Sequence, residues 1–243
     1  MGAALAAAIA AASPDAGSAW AQGFTPEQRQ EIIGILREAL KTDPSILREA
    51  LETLRDSQTR DRQEAQRNAI AAHAEALFRD PADPVRGNPE GRITLVEFFD
   101  ARCGYCKQLH PTLTELMRWA PDLRVVLKDL PILGPNSVLA SRALLAAQRQ
   151  GKYAPLHDAL LRLREEPTEP VLKREAERLG LDWARLRRDM DDPAIARRLE
   201  ANIRLAQALS IEGTPALVIG DSLVPGAVDL ATLERLVAEQ RER

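Results

Sequence analysis

The chain has 243 residues, 45% hydrophobic and 28% charged, and its 33 basic and 36 acidic side chains leave a net charge of −3. That is enough apolar material for a real core, and so even a charge balance leaves no polybasic footprint, which excludes nucleic acid as a natural partner. Two cysteines cannot build a disulfide framework; they leave one catalytic, metal-binding or loop-closing pair.

Residues 1–12 are short, apolar and alanine-rich, and Ala19-Trp20-Ala21 fits the small-x-small pattern of a cleavage site. The expectation is a signal peptide over residues 1–21, a mature chain from Gln22 and export to the periplasm, with no membrane span after the leader is removed. The missing Lys or Arg before the apolar run leaves a plain alanine-rich tail as the alternative. Thr25-Pro26-Glu27 then starts a helix whose stripe is Ile32, Ile33, Leu36 and Leu40. Asp43-Pro44 restarts the pattern with Ile46, Leu47, Leu51 and Leu54. Two such helices cannot bury these faces alone, so they pack on the main domain or on copies of themselves. Residues 57–67 are almost wholly polar, as a solvated helix would be. Residues 22–80 therefore read as a helical arm and homo-oligomerisation region, and the segment 81–91, with Pro81, Pro84 and Pro89, as a linker.

The catalytic domain is expected over residues 92–243. Ile93–Phe99 and Leu123–Lys128 read as strands on either side of a helix, one crossover of a parallel sheet in an α/β fold. Helical patterns follow over 137–150, 153–164, 171–179, 183–190 and 194–209, punctuated by Gly151, Pro167, Gly180 and Pro193. Ala216–Ile219 is a strand, Leu223–Gly226 its hairpin partner with Pro225 at an edge, and Leu230, Leu233, Leu236 and Val237 mark a final helix.

Between the first strand and its helix lies Arg102-Cys103-Gly104-Tyr105-Cys106-Lys107, which holds both cysteines of the chain. A strand running into two cysteines at a helix start is a redox pattern, although two neighbouring buried thiols would share the spacing. Cys103 would sit at the helix N-terminus, where unpaired N–H groups and the macrodipole favour a thiolate. The dipole contributes about 0.3–1 kcal/mol, less than the roughly 1.4 kcal/mol of one pKa unit, so a large shift needs direct hydrogen bonds as well. Gly104 and Tyr105 keep their N–H donors, and Lys107 adds a nearby positive charge. Cys103 is therefore the expected nucleophile and Cys106 the thiol that resolves the mixed disulfide. Full zinc ligation looks poor, because Cys103, Cys106 and His110 supply three ligands and no fourth stands nearby. His110 itself reads as a solvated or core-edge residue, with a ligand or proton donor as the other reading.

The order of these motifs resembles the DsbA family of exported thiol-disulfide oxidoreductases. The likeness rests on Val96-Glu97-Phe98-Phe99-Asp100 before Cys-Gly-Tyr-Cys, on Pro111, and on Gly213-Thr214-Pro215 before a strand. It implies a thioredoxin fold with an all-helical insertion at about 135–210, preceded by the N-terminal helical arm, and no cofactor. It further implies a cis Thr214–Pro215 bond facing the cysteines, with the Thr214 backbone pairing with an extended client and Gly104 and Tyr105 shaping the surface beside the sulfur. By the same resemblance Glu97 is a buried proton relay beneath the dithiol and Lys128 its partner, while a half-exposed strand position is the bland reading of Glu97. The arm is similar to that of ScsC-like members, which are associated with oligomerisation and copper tolerance. The implied function is a protein disulfide isomerase acting on cysteine-containing client proteins and reset by a redox partner. A monomeric oxidase and a Cu(I)-binding protein using the same cysteines are the alternatives.

Overall fold

The computed structural model describes residues 24–242, so the expected signal peptide lies outside the described residues. The chain divides into two compact units between Thr59 and Arg60. In the first, α1 (Pro26–Thr42) starts at a Thr25/Gln28 capping box, with Pro26 in its first turn where a missing N–H costs nothing. After Asp43, which accepts the Ser45 N–H at 3.0 Å, α2 (Ser45–Ala72) begins. No residue of α1 is buried, and Ile32, Ile33, Ile35, Leu36, Leu40, Ile46, Leu47, Leu51 and Leu54 all stand exposed in the single chain.

The second unit is built on a five-stranded sheet of order β1-β3-β2-β4-β5. Its strands are β1 (Val85–Gly87), β2 (Ile93–Phe99), β3 (Leu123–Asp129), β4 (Ala216–Ile219) and β5 (Ser222–Pro225). Only β2 and β3 run parallel, joined by α3 (Gly104–Trp119); every other pairing is antiparallel. The pleat splits the side chains of β2 between two cores. Leu95 and Phe99 join Cys103, Cys106, Leu109 and Leu113 of the α3 side, whereas Val96 and Phe98 face the other way, towards Ile70, Leu77 and Leu205.

Five helices separate β3 from β4: α4 (Pro135–Gln148), α5 (Tyr153–Arg162), α6 (Glu169–Arg178), α7 (Trp183–Asp189) and α8 (Pro193–Ala208); α9 (Leu230–Arg241) closes the described chain. Leu144, Leu156, Leu172, Leu186 and Leu199 of the five belong to the same apolar cluster as Leu95, Phe99 and the cysteines. The helical insertion therefore shares the core of the sheet. The result is a thioredoxin fold with a helical insertion.

Two boundaries differ from the sequence reading. The expected linker 81–91 contains β1, which pairs with Arg124–Val126 of β3. Gly87 makes this approach feasible, with φ at +72° and a position where a Cβ would fall 2.5 Å from the Leu123 carbonyl oxygen. Residues 60–80, assigned to the arm, belong to the second unit: Ile70 and Leu77 are buried in its core, and a π-turn (Glu75–Arg79) follows α2.

Candidate active site

Strand β2 ends at Phe99, and the chain turns through Asp100 into Cys103, the N-cap of α3. Buried Asp100 organises this turn. Its Oδ1 accepts the Arg102 N–H at 2.8 Å and the Ser137 hydroxyl at 2.8 Å. Its Oδ2 accepts the N–H groups of Ile132 and Leu133 at 2.9 and 3.1 Å, and its carbonyl accepts Cys103 N–H at 3.0 Å. Nothing in the sequence pattern singled out this residue beyond its place in the motif, because Ile132, Leu133 and Ser137, which it holds besides its own turn, lie 32 to 37 residues downstream.

Cys103 is 7% exposed and Cys106 fully buried, so only the first sulfur meets solvent. A hydrogen bond from the Cys106 thiol, against the opposing effect of burial, pulls the Cys103 pKa down to about 5, helped by the Thr214 side chain and by the N–H groups of Cys106 and Tyr105. The same hydrogen bond, burial and the Glu97 charge push Cys106 far up. The pair thus splits into a thiolate and a thiol that holds its proton.

The Thr214–Pro215 peptide is cis, and Cys103 Sγ lies 3.1 Å from the Thr214 carbonyl oxygen. Thr214 and Pro215 line a groove with Ser210, Ile211, Leu223 and Pro225. Tyr105 is 64% exposed and Gly104 has open space about it, so among the described residues no other chain segment covers this part of the rim beside the sulfur. Lys107, expected to add charge near the sulfur, instead donates its Nζ to the Leu163 carbonyl at 2.8 Å.

Glu97 lies on the cysteine face of β2, between Leu95 and Phe99, and is 1% exposed. Burial raises its pKa to about 8, partly offset by the charge of Arg86, and among the described residues its Oε1 has no hydrogen-bond partner. Lys128 is not its counterpart. The β2–β3 register sets Glu97 opposite Leu127 and Phe98 opposite Lys128, so the two side chains leave opposite faces of the sheet. Lys128 Nζ meets buried Asp83 at 2.5 Å and donates to the Ala76 carbonyl at 2.6 Å. One residue of register separates the expected pair from the observed one.

Among the described residues, one cluster has the donor set of a metal site: His110, His157 and Asp158, whose ligand atoms lie within 4.8 Å of one another. A guanidinium already occupies the cation's place. Arg86 Nη2 is 2.7 Å from Asp158 Oδ1, and its Nη1 is 3.2 Å from His110 Nδ1. Arginine can only donate, so that His110 nitrogen accepts and its Nε2, 3.3 Å from Asp158 Oδ1, carries the proton. A proton at Nε2 does not suit metal ligation there. His110 is thus a buried core histidine tied to an ion pair.

A thioredoxin fold whose dithiol caps a helix opposite a cis-proline defines the class of thiol-disulfide oxidoreductase folds of DsbA and ScsC type. Comparison with known proteins narrows this: residues 94–238 match the DSBA-like thioredoxin domain, and the chain belongs to that family. A thioredoxin-like oxidoreductase from Silicibacter pomeroyi DSS-3 is 41% identical with a TM-score of 0.68, over 70% of this chain and 98% of that one. Proteus mirabilis ScsC in a transitional conformation is 32% identical with a TM-score of 0.66, over 89% of this chain and 96% of its own. Among curated proteins, the Na+/H+ antiporter NhaA 3 of Salinispora tropica is 34% identical over 163 residues, 65% of this chain and 25% of the antiporter. This chain therefore spans about a quarter of the length of the curated relatives it matches. Among the described residues no helix is long and apolar enough to cross a membrane.

Proposed function

We propose that this protein is an exported, periplasmic protein thiol-disulfide oxidoreductase whose main work is disulfide isomerisation. The observation that carries the reading is the asymmetry of the dithiol: a partly accessible Cys103 with its pKa near 5, backed by a buried Cys106 whose proton is held. Cys103 thiolate attacks a client disulfide, forming a mixed disulfide and releasing the client's other sulfur as a thiolate. In molecules whose Glu97 is ionised, a fraction that grows as pH rises towards about 8, Cys106 passes its proton to that carboxylate, attacks Cys103 and frees the client, leaving the pair oxidised and the client reduced. In isomerisation the client's own thiol attacks the mixed disulfide instead, so the pair ends reduced and no net electrons move.

A stabilised thiolate favours the reduced pair. Lowering the pKa from about 9 to about 5 stabilises that state at pH 7 by roughly 3 kcal/mol, on the order of 60 mV, which keeps Cys103 free to attack. The groove at Thr214 and Pro215 offers main chain and apolar side chains to extended clients of varied sequence. Self-association through the exposed apolar faces of α1 and of α2 before Thr59 would gather several dithiols around one misfolded client. A redox partner then resets any pair left oxidised.

Reactivation of scrambled ribonuclease tests the reading. The expected result is an oligomer that restores activity, with both properties lost on removal of residues 22–59. A monomer that only introduces disulfides is an oxidase and refutes isomerisation. A protein inert in exchange that binds Cu(I) stoichiometrically through Cys103 and Cys106 is a copper-handling protein instead.

A further inference from the structure

Two cations bracket the redox turn, Arg102 just before Cys103 and Lys107 just after Cys106. Each is engaged with the helical insertion. Arg102 Nη2 donates to Glu166 Oε1 at 2.8 Å, its Nε lies 2.6 Å from Glu166 Oε2, and its Nη1 donates to the Leu133 carbonyl. Lys107 Nζ donates to the Leu163 carbonyl at 2.8 Å, so both cations grip the short segment 163–168 that joins α5 to α6. Asn136 of α4 holds Glu166 Oε2 from the far side at 3.3 Å.

We propose that this segment is a positioning element for the dithiol, with Arg102 and Glu166 as its positioning residues. Through Arg102 and Lys107 the insertion fixes where the Cys-Gly-Tyr-Cys turn sits, and so how the Tyr105 and Cys106 N–H groups meet the Cys103 sulfur. The inference rests on the reading of Cys103 as the nucleophilic thiolate. An ion pair as open to water as Arg102 with Glu166, whose side chains are 26% and 53% exposed, adds little to global stability. Breaking it leaves the fold standing and loosens only the turn.

The sign of the response separates positioning from simple charge. If the two residues acted through space, removing the Arg102 charge would raise the Cys103 pKa and removing the Glu166 charge would lower it. If they act by holding the turn, both losses raise it. The experiment is the pH profile of Cys103 alkylation by iodoacetamide in the reduced full-length protein, for wild type, Arg102→Ala, Glu166→Ala and the charge swap Arg102→Glu with Glu166→Arg, with thermal unfolding followed alongside. Positioning predicts that both single variants move the midpoint up by about one pH unit, some tenfold in reactivity below it, and that the swap recovers much of the loss. Shifts of opposite sign, or unchanged midpoints beside a depressed wild-type value, overturn the proposal alone. A wild-type Cys103 that titrates like an unstructured thiol overturns the parent reading and this one with it.

Discussion

At the scale of single residues, the two sulfurs and the carboxyl beneath them make opposite demands on pH. The Cys103 pKa is depressed in the folded, reduced protein, so its stabilisation is complete above the unfolded thiol value near 9 and is lost as pH falls through about 5. The stability of the reduced over the oxidised protein, read by denaturant midpoints, is expected to shrink steadily across that window. Glu97 behaves in reverse. Its folded pKa is raised, the folded state keeps a proton that the unfolded chain releases near 4.5, and stability declines as pH rises from there to about 8. Glu97→Gln is expected to remove the decline, gaining roughly 2–4 kcal/mol at pH 9, and to slow the release of mixed disulfides because Cys106 loses its proton acceptor. Unfolding curves at pH 5 and pH 9, together with single-turnover release, check both. Replacing Cys103 with Ser should abolish exchange, whereas Cys106→Ser should accumulate client adducts on a nonreducing gel.

Elements show where sequence and structure part. The dithiol, β2 and α3 were legible because their signal is local: an apolar run, two cysteines at a helix start, then leucines at helical spacing. The partner of Lys128 was not. Strand pairing register is set by contacts between distant segments, and one residue of offset sends Lys128 to the face of Asp83, Arg198 and Asp80. There it also holds the Ala76 carbonyl of the π-turn, while Arg124 Nη1 donates to the Phe78 carbonyl at 2.7 Å. These two β3 cations satisfy backbone acceptors of the turn that roots the chain on the sheet. Burial lowers the Lys128 pKa and raises that of Asp83, yet each is the other's nearest compensation. Lys128→Met is expected to cost about 3–5 kcal/mol by leaving Asp83 buried beside fewer positive charges, with the alkylation midpoint of Cys103 unchanged. A shifted midpoint would restore Lys128 to the redox site. Strand β1 escaped notice for a related reason: the three residues Val85–Gly87 carry no periodicity, and only the partner β3 makes them a strand.

For the molecule as a whole, the apolar stripes of the first unit were plain in the sequence, but a stripe does not name the surface it packs on. Ile33, Leu36, Leu47 and Leu54 stand 47–56% exposed, four large aliphatic side chains at helical spacing on one short unit, the kind of surface that marks an interaction site. On the proposed self-association, Leu36→Arg is expected to leave a monomer in sedimentation, preserve single-site exchange with a small disulfide, and abolish ribonuclease reshuffling. A variant that stays associated would point to another interface. The short rims of the sheet bear on whether copies of the chain can add strand to strand. On one side the three residues of β1 cover β3, and on the other β5 ends at Pro225, so neither flank offers a long bare ladder to a neighbour. With both margins closed to added strands, copies that gather through the first unit as proposed are not also drawn into an edge-to-edge stack, so any such assembly is expected to stay finite rather than run on as a fibre.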